Sequence, residues 1–173
     1  RIIIGRTKEK RLVTASDLRA QGAMTVLLKD AIKPNLVQTL EGNPVLIHTG
    51  PFGNVAPGNS SVIADRIALA TSDFVVTESG FGSECGFEKL VDLKLRGTDY
   101  APAVEVLVVS TRALKWHGGG IKNPKDRAEA KTPNPDAVRK GCANMAKHIE
   151  NVRMLGVPCV VAVNVFESDS PEE

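Results

Sequence analysis

"VPCVVAVNVF", residues 157–166, decides the fold. Its valines run almost without a polar break, which is the pattern of a strand covered on both faces and not of one that meets water on every second residue. "VEVLVVST" (104–111), "PVLIH" (44–48), "DFVVTE" (73–78) and "RIIIG" (1–5) repeat the pattern. Together they predict a parallel sheet.

Helix-period segments lie between these runs. "SDLRAQGAMTVLLKDAI" starts at a possible Thr14 or Ser16 cap, and "SSVIADRIALA" starts at Ser60 or Ser61 with Val62, Ile63, Ile67 and Ala70 on one face. "GFEKLVDLKLR" follows Gly86, and in the last helix Val138, Cys142, Met145, Ile149 and Val152 recur at helical spacing until Gly156 stops it. Strand and helix in alternation imply right-handed crossovers, hence an α/β fold with a mostly parallel β-sheet and helices on both faces. Residues 1–173 read as a single domain without internal repeats. The connection 117–135 is long for such a unit and reads as a flexible loop, either a flap over a site or a solvated insertion.

Composition narrows the function. With 42% apolar and 24% charged residues the chain is globular, and 22 basic against 20 acidic residues, interspersed, give no footprint for nucleic acid. No run approaches the ~18 apolar residues of a membrane span, and "RIIIGRTKEK" turns charged too early for a secretory signal, so a cytoplasmic location is expected. Cys85, Cys142 and Cys159 are odd in number and widely spaced, so no disulfide framework and no metal site is expected. They read as small apolar residues, with a reactive thiol at Cys85 as the alternative.

In an open parallel sheet, ligands bind beyond the carboxyl ends of the strands. Four tips carry polar groups there: "HTGPFGN", "TESGFGSECG", "STRALKWHGGG" and "NVFESDS". His48 and Glu78 can exchange protons, Arg112 and Lys115 can hold an oxyanion or phosphate, and Asn54, Asn59 and Asn164 can give directed hydrogen bonds. Glycines such as Gly58, Gly80 and Gly82 free backbone N–H groups to face an anion. The plainer reading makes the glycines ordinary turns, His48 a satisfied histidine at a strand end, and Arg112 and Lys115 a solvated first turn. His148 and the acidic tail read as surface. No G-x-x-x-x-G-K-[ST] loop occurs, and "GFGSECG" has the wrong spacing for a dinucleotide site.

The stretch "KPNLVQTLEGNPVLIHTGPFGNVAPGNSSVIADRIAL", followed in order by "FVVTESGFGSECGFEKLVDLKLR", "TRALKWHGGG" and "GVPCVVAVNVFESDS", resembles formate-tetrahydrofolate ligase (10-formyltetrahydrofolate synthetase) over nearly the whole chain. The resemblance implies a P-loop NTPase-like three-layer sandwich of which this chain, an interior portion, lacks the P-loop segment. It implies ATP with Mg2+ and tetrahydrofolate as substrates, a monovalent cation, and a homotetramer. In the implied reaction ATP phosphorylates formate, and the formyl group of formyl phosphate passes to N10 of tetrahydrofolate. Arg112, Glu78 and Lys115 would serve catalysis, and His48, Asn54, Gly58, Asn59, Gly80, Phe81, Gly82, Asn164 and Phe166 would bind substrate, with Phe166 matching the aromatic that stacks on the pteridine.

The sequence departs from the family pattern at Pro57, where histidine is usual, at Glu84 in place of aspartate, at Val109, Ser110 and Thr111, and at Glu167 in place of proline. Pro57 removes a titratable group and a backbone donor. The alternative to a ligase portion is therefore a diverged or truncated binding or assembly module of the same fold.

Overall fold

The computed structural model describes residues 2–48, 58–123 and 127–173. Packing divides the chain into two compact units, 1–51 with 60–76, and 52–59 with 77–173.

The first unit is built from two antiparallel hairpins and two helices. Strand β1 (Ile3–Arg6) pairs with β2 (Leu12–Thr14), and β3 (Asn35–Gln38) pairs with β4 (Pro44–Ile47). Both links are five residues long, whereas a parallel crossover needs about a dozen, so the parallel arrangement expected for "RIIIG" and "PVLIH" gives way to hairpins. Helix α1 (Gln21–Leu28) begins later than either expected cap, because Asp17 accepts from the N–H and hydroxyl of Thr14 and Arg19 turns to φ +55°. Helix α2 (Val62–Thr71) starts as expected at Ser61, whose Oγ accepts from the Ala64 N–H at 3.0 Å. The run "DFVV" forms no strand, and its Phe74 and Val76 are exposed.

The second unit carries the α/β character. Strands β5 (Glu105–Ser110) and β6 (Cys159–Asn164) pair in parallel over six residues, Glu105 opposite Cys159 and Ser110 opposite Asn164. Of the expected mostly parallel sheet, this pair is what the described residues contain. Helix α3 (Thr111–His117) leaves β5 directly, its first turn capped by Ser110 Oγ. Helix α4 (Arg127–Lys131) lies inside the expected flexible loop 117–135, where Glu129 accepts from the N–H groups of Lys122 and Asn123. Helix α5 (Pro135–Met154) is capped by Asn134, starts on a proline that needs no donor there, and ends before Gly156 at φ +81°.

The core follows from this crossover. Phe87 and Leu90, from the two π-helical turns Ser83–Phe87 and Leu90–Lys94, pack with Val152 of α5 and with Val157. Helices α3 and α5 approach closely at Gly141, where an added Cβ would overlap the Leu114 backbone carbonyl.

Candidate functional site

Parallel pairing brings two chain reversals to one edge. Because Ser110 faces Asn164, β5 and β6 end together, and Arg112 and Phe166 each follow two residues later. They line one cavity of about 190 Å³ with Ala130 and Lys131 of α4 and with Ser168 and Asp169. Arg112 and Lys131 offer cationic donors to it, and the half-exposed Phe166 offers an aromatic face. A local turn holds that ring: the Phe166 N–H donates to Asp169 Oδ2, and the Asp169 N–H donates back to the Phe166 carbonyl, both at 2.9 Å. Asn164 is exposed at the tip of β6.

Lys115 is placed differently from the expectation of a rim cation. It lies on α3 with a side chain 0% exposed, and its Nζ forms an ion pair with Glu173 Oε1 at 3.0 Å. Nζ also donates to the Thr132 carbonyl at 3.4 Å, while Glu173 accepts from the N–H groups of Asn134 at 2.8 Å and Ser170 at 3.1 Å. Burial acts to raise the Glu173 pKa, but the Asn134 N–H, the Lys115 ammonium and the Ser170 N–H together outweigh it and hold the carboxyl below the ordinary glutamate value. Glu173 of the acidic segment, expected at the surface, is therefore a buried carboxylate. A helix of apolar and basic residues shows where a lysine sits only once its partner, 58 positions away in sequence, is folded against it.

A second cluster forms around "ESGFGSECG". Ser83 Oγ lies 2.8 Å from His148 Nδ1, and Glu84 Oε2 lies 3.5 Å from the same nitrogen. His148 is thus partly buried and partnered, not a plain surface residue. Both groups meet one ring nitrogen, so the imidazole does not pass a proton between Ser83 and Glu84. Gly80 is buried and bonded to the Gly58 carbonyl, Phe81 is exposed at φ +63°, and Gly82 leaves room for the folded-back Glu84 carboxylate. Glu78 is exposed. Gly58, at φ +88°, sits where any Cβ would press on Gly86, and Asn59 is buried, its Oδ1 accepting from Lys94 Nζ at 2.7 Å.

His48 meets the plainer reading. Its Nε2 donates to the Ala31 carbonyl at 2.8 Å, which fixes the proton there, and its Nδ1 accepts from Ser61 Oγ at 2.6 Å. Both ring nitrogens are engaged inside the first unit. Asn54 and Pro57 lie outside the described residues. Cys85, Cys142 and Cys159 are free thiols of intermediate burial, and among the described residues no three His, Cys, Asp or Glu side chains are grouped to hold a metal.

The family model for formate-tetrahydrofolate ligase matches residues 1–173. The chain belongs to the formate-tetrahydrofolate ligase family. It is 56% identical to the formate-tetrahydrofolate ligase of a Sphingobium species over 98% of its own length and 29% of that protein's. Identity to the Paracoccus denitrificans ligase is 53% over 100% of this chain and 30% of the relative, and to the Granulibacter bethesdensis ligase 54% over 99% and 29%. The chain thus spans about three-tenths of the length of the curated ligases it matches. No helix among the described residues is long and apolar enough to cross a membrane.

Proposed function

We propose that the chain is the folate- and formyl phosphate-facing portion of a formate-tetrahydrofolate ligase, with its site at the shared carboxyl edge of β5 and β6. The observation that carries this reading is the joint lining of one cavity by Arg112 and Phe166, within a chain more than half identical to named ligases. In that reaction a formate oxygen attacks the γ-phosphorus of ATP and ADP leaves. N10 of tetrahydrofolate then attacks the formyl carbon of formyl phosphate, and inorganic phosphate departs with the bonding electrons.

The residues on this edge suit the second step. The Arg112 guanidinium offers a planar fork of donors to phosphate oxygens whose charge grows as the C–O bond breaks. Phe166 offers a flat apolar face to the pteridine, and its main chain is pinned by Asp169. Glu78, exposed at the end of "DFVVTE", is the proton acceptor of this reading for N10. The resemblance adds Gly58, Asn59, Gly80, Phe81, Gly82 and Asn164, with Asn54, to the proposed substrate-binding residues, and His48 separately within the first unit. Mg2+ enters with ATP as part of that substrate, and the monovalent cation, the phosphate loop, the three-layer sandwich and the homotetramer belong to the full-length ligase in the cytoplasm.

Steady-state kinetics of a full-length ligase carrying this sequence test the reading. Phe166→Ala raises the tetrahydrofolate KM about tenfold, the scale of one lost stacking contact of about 1–1.5 kcal/mol, and leaves the ATP KM unchanged. An unchanged tetrahydrofolate KM refutes the site.

A further inference from the structure

We propose that the buried Lys115–Glu173 pair is a positioning device for the substrate-facing edge, with Glu173 its organising residue; this rests on the ligase reading above. Glu173 receives three groups from three places. The Asn134 N–H comes from the start of α5, the Lys115 ammonium from α3, and the Ser170 N–H from the turn that follows β6. The Glu173 N–H donates in return to the Ser170 carbonyl at 3.0 Å.

The geometry ties the two cavity residues to one anchor. Lys115 lies one helical turn beyond Arg112 on α3, so holding its ammonium fixes the rotation of the helix that presents the guanidinium. On the other side, residues 166–173 form two successive turns, Phe166 with Asp169 and Ser170 with Glu173, so holding the second turn limits where the first can place the aromatic ring. Both side chains of the pair are 0% exposed, so water cannot substitute for either partner. An ion pair in the interior is seldom kept for stability alone, because apolar residues of like volume serve as well, and its directional bonds here connect segments far apart in sequence.

The test is a set of variants in the full-length ligase. Glu173→Gln keeps the shape and an acceptor oxygen but removes the charge. The expected result is a rise of about tenfold in the tetrahydrofolate KM with the ATP KM unchanged, since small displacements of substrate-holding groups carry such factors, and partial recovery in Glu173→Asp. Where Glu173→Gln fails to fold, the charge-free pair Lys115→Met with Glu173→Gln restores an interior without an unpaired ion and carries the same expectation. A wild-type tetrahydrofolate KM in either folded variant, with only the melting temperature lowered, overturns the proposal. So does a crystal structure of the full-length ligase in which Lys115 Nζ and the Glu173 carboxylate are separated. Phe166→Ala separates the two readings: a raised KM there beside an unchanged KM in Glu173→Gln defeats the positioning role and keeps the site, whereas an unchanged KM in Phe166→Ala defeats the site itself.

Discussion

Helices α1 and α5 rest on different foundations. Helix α1 buries no side chain, and Val26 and Leu27 on it are largely exposed; α5 buries Ala137, Val138, Gly141 and Val152 against α3 and the π-helical turns. An eight-residue helix is marginal in water without tertiary contacts, while a twenty-residue amphipathic helix on a core is not. The difference runs through the two units: the second carries its own core, and the first displays many of its apolar residues, Leu36 and Leu40 among them. A run of valines and leucines in sequence therefore does not say what covers it.

Three measurements on a full-length protein carrying this sequence sharpen this contrast. The largest effect is expected at Lys115→Met, which leaves the Glu173 carboxylate buried without its cation and costs about 3–5 kcal/mol in urea unfolding. A loss below about 0.5 kcal/mol, the usual scale of surface changes, would place the pair at the surface and dissolve the distinction.

Glycines give the next test. Gly141→Ala pushes a Cβ onto the Leu114 backbone and is expected to cost about 1–3 kcal/mol, with faster amide exchange in α3 and α5. Gly22→Ala in α1 meets nothing within 4 Å and should stabilise by about 0.5 kcal/mol through helix propensity alone. Equal signs for the two would mean that the close α3–α5 approach is absent.

Acid gives the smallest effect. The Glu173 carboxyl is held below its unfolded value of 4.5, so its contribution is complete above that pH and is lost as the pH falls through the folded value. Asp17 of the first unit is lowered too, by hydrogen bonds from Thr14, but it is exposed and solvent-screened, so its contribution is smaller. Urea midpoints followed downward from about pH 6 should therefore lose a component in acid that Glu173→Gln lacks and that Asp17→Asn largely retains. Identical acid profiles for the unmodified protein and Glu173→Gln would contradict the assignment.

Much of the second unit was legible in advance. The continuous valine runs 104–111 and 157–166 specify β5 and β6, the four-and-three spacing from Val138 to Val152 specifies α5, and Gly156 marks its end. The cap of α2 was legible to within Ser60 or Ser61, and the structure takes Ser61. Strand β2 has three residues and β3, "NLVQ", sets two apolar residues between polar ones, so neither shows the apolar run that marks β1 and β4, and the hairpins they make depend on link length as well as on composition. At the candidate site, Arg112 was readable from its place after a strand, and Phe166 from the resemblance to the family. Lys131 was hidden in a segment read as loop, and Asp169 and Glu173 in a tail read as surface.

The sequence by itself determined the family, the parallel character of β5 and β6, the serine cap of α2 and the glycine stop of α5, because each of these rests on local spacing or on an ordered set of motifs. Only the tertiary structure decided that Lys115 is a buried partner of Glu173 and not a rim cation, that both nitrogens of His48 are engaged, and that His148 meets Ser83. The physical reason is that a side chain's charge and hydrogen-bonding capacity are local properties, while whether they face water or a partner is set by residues dozens of positions away.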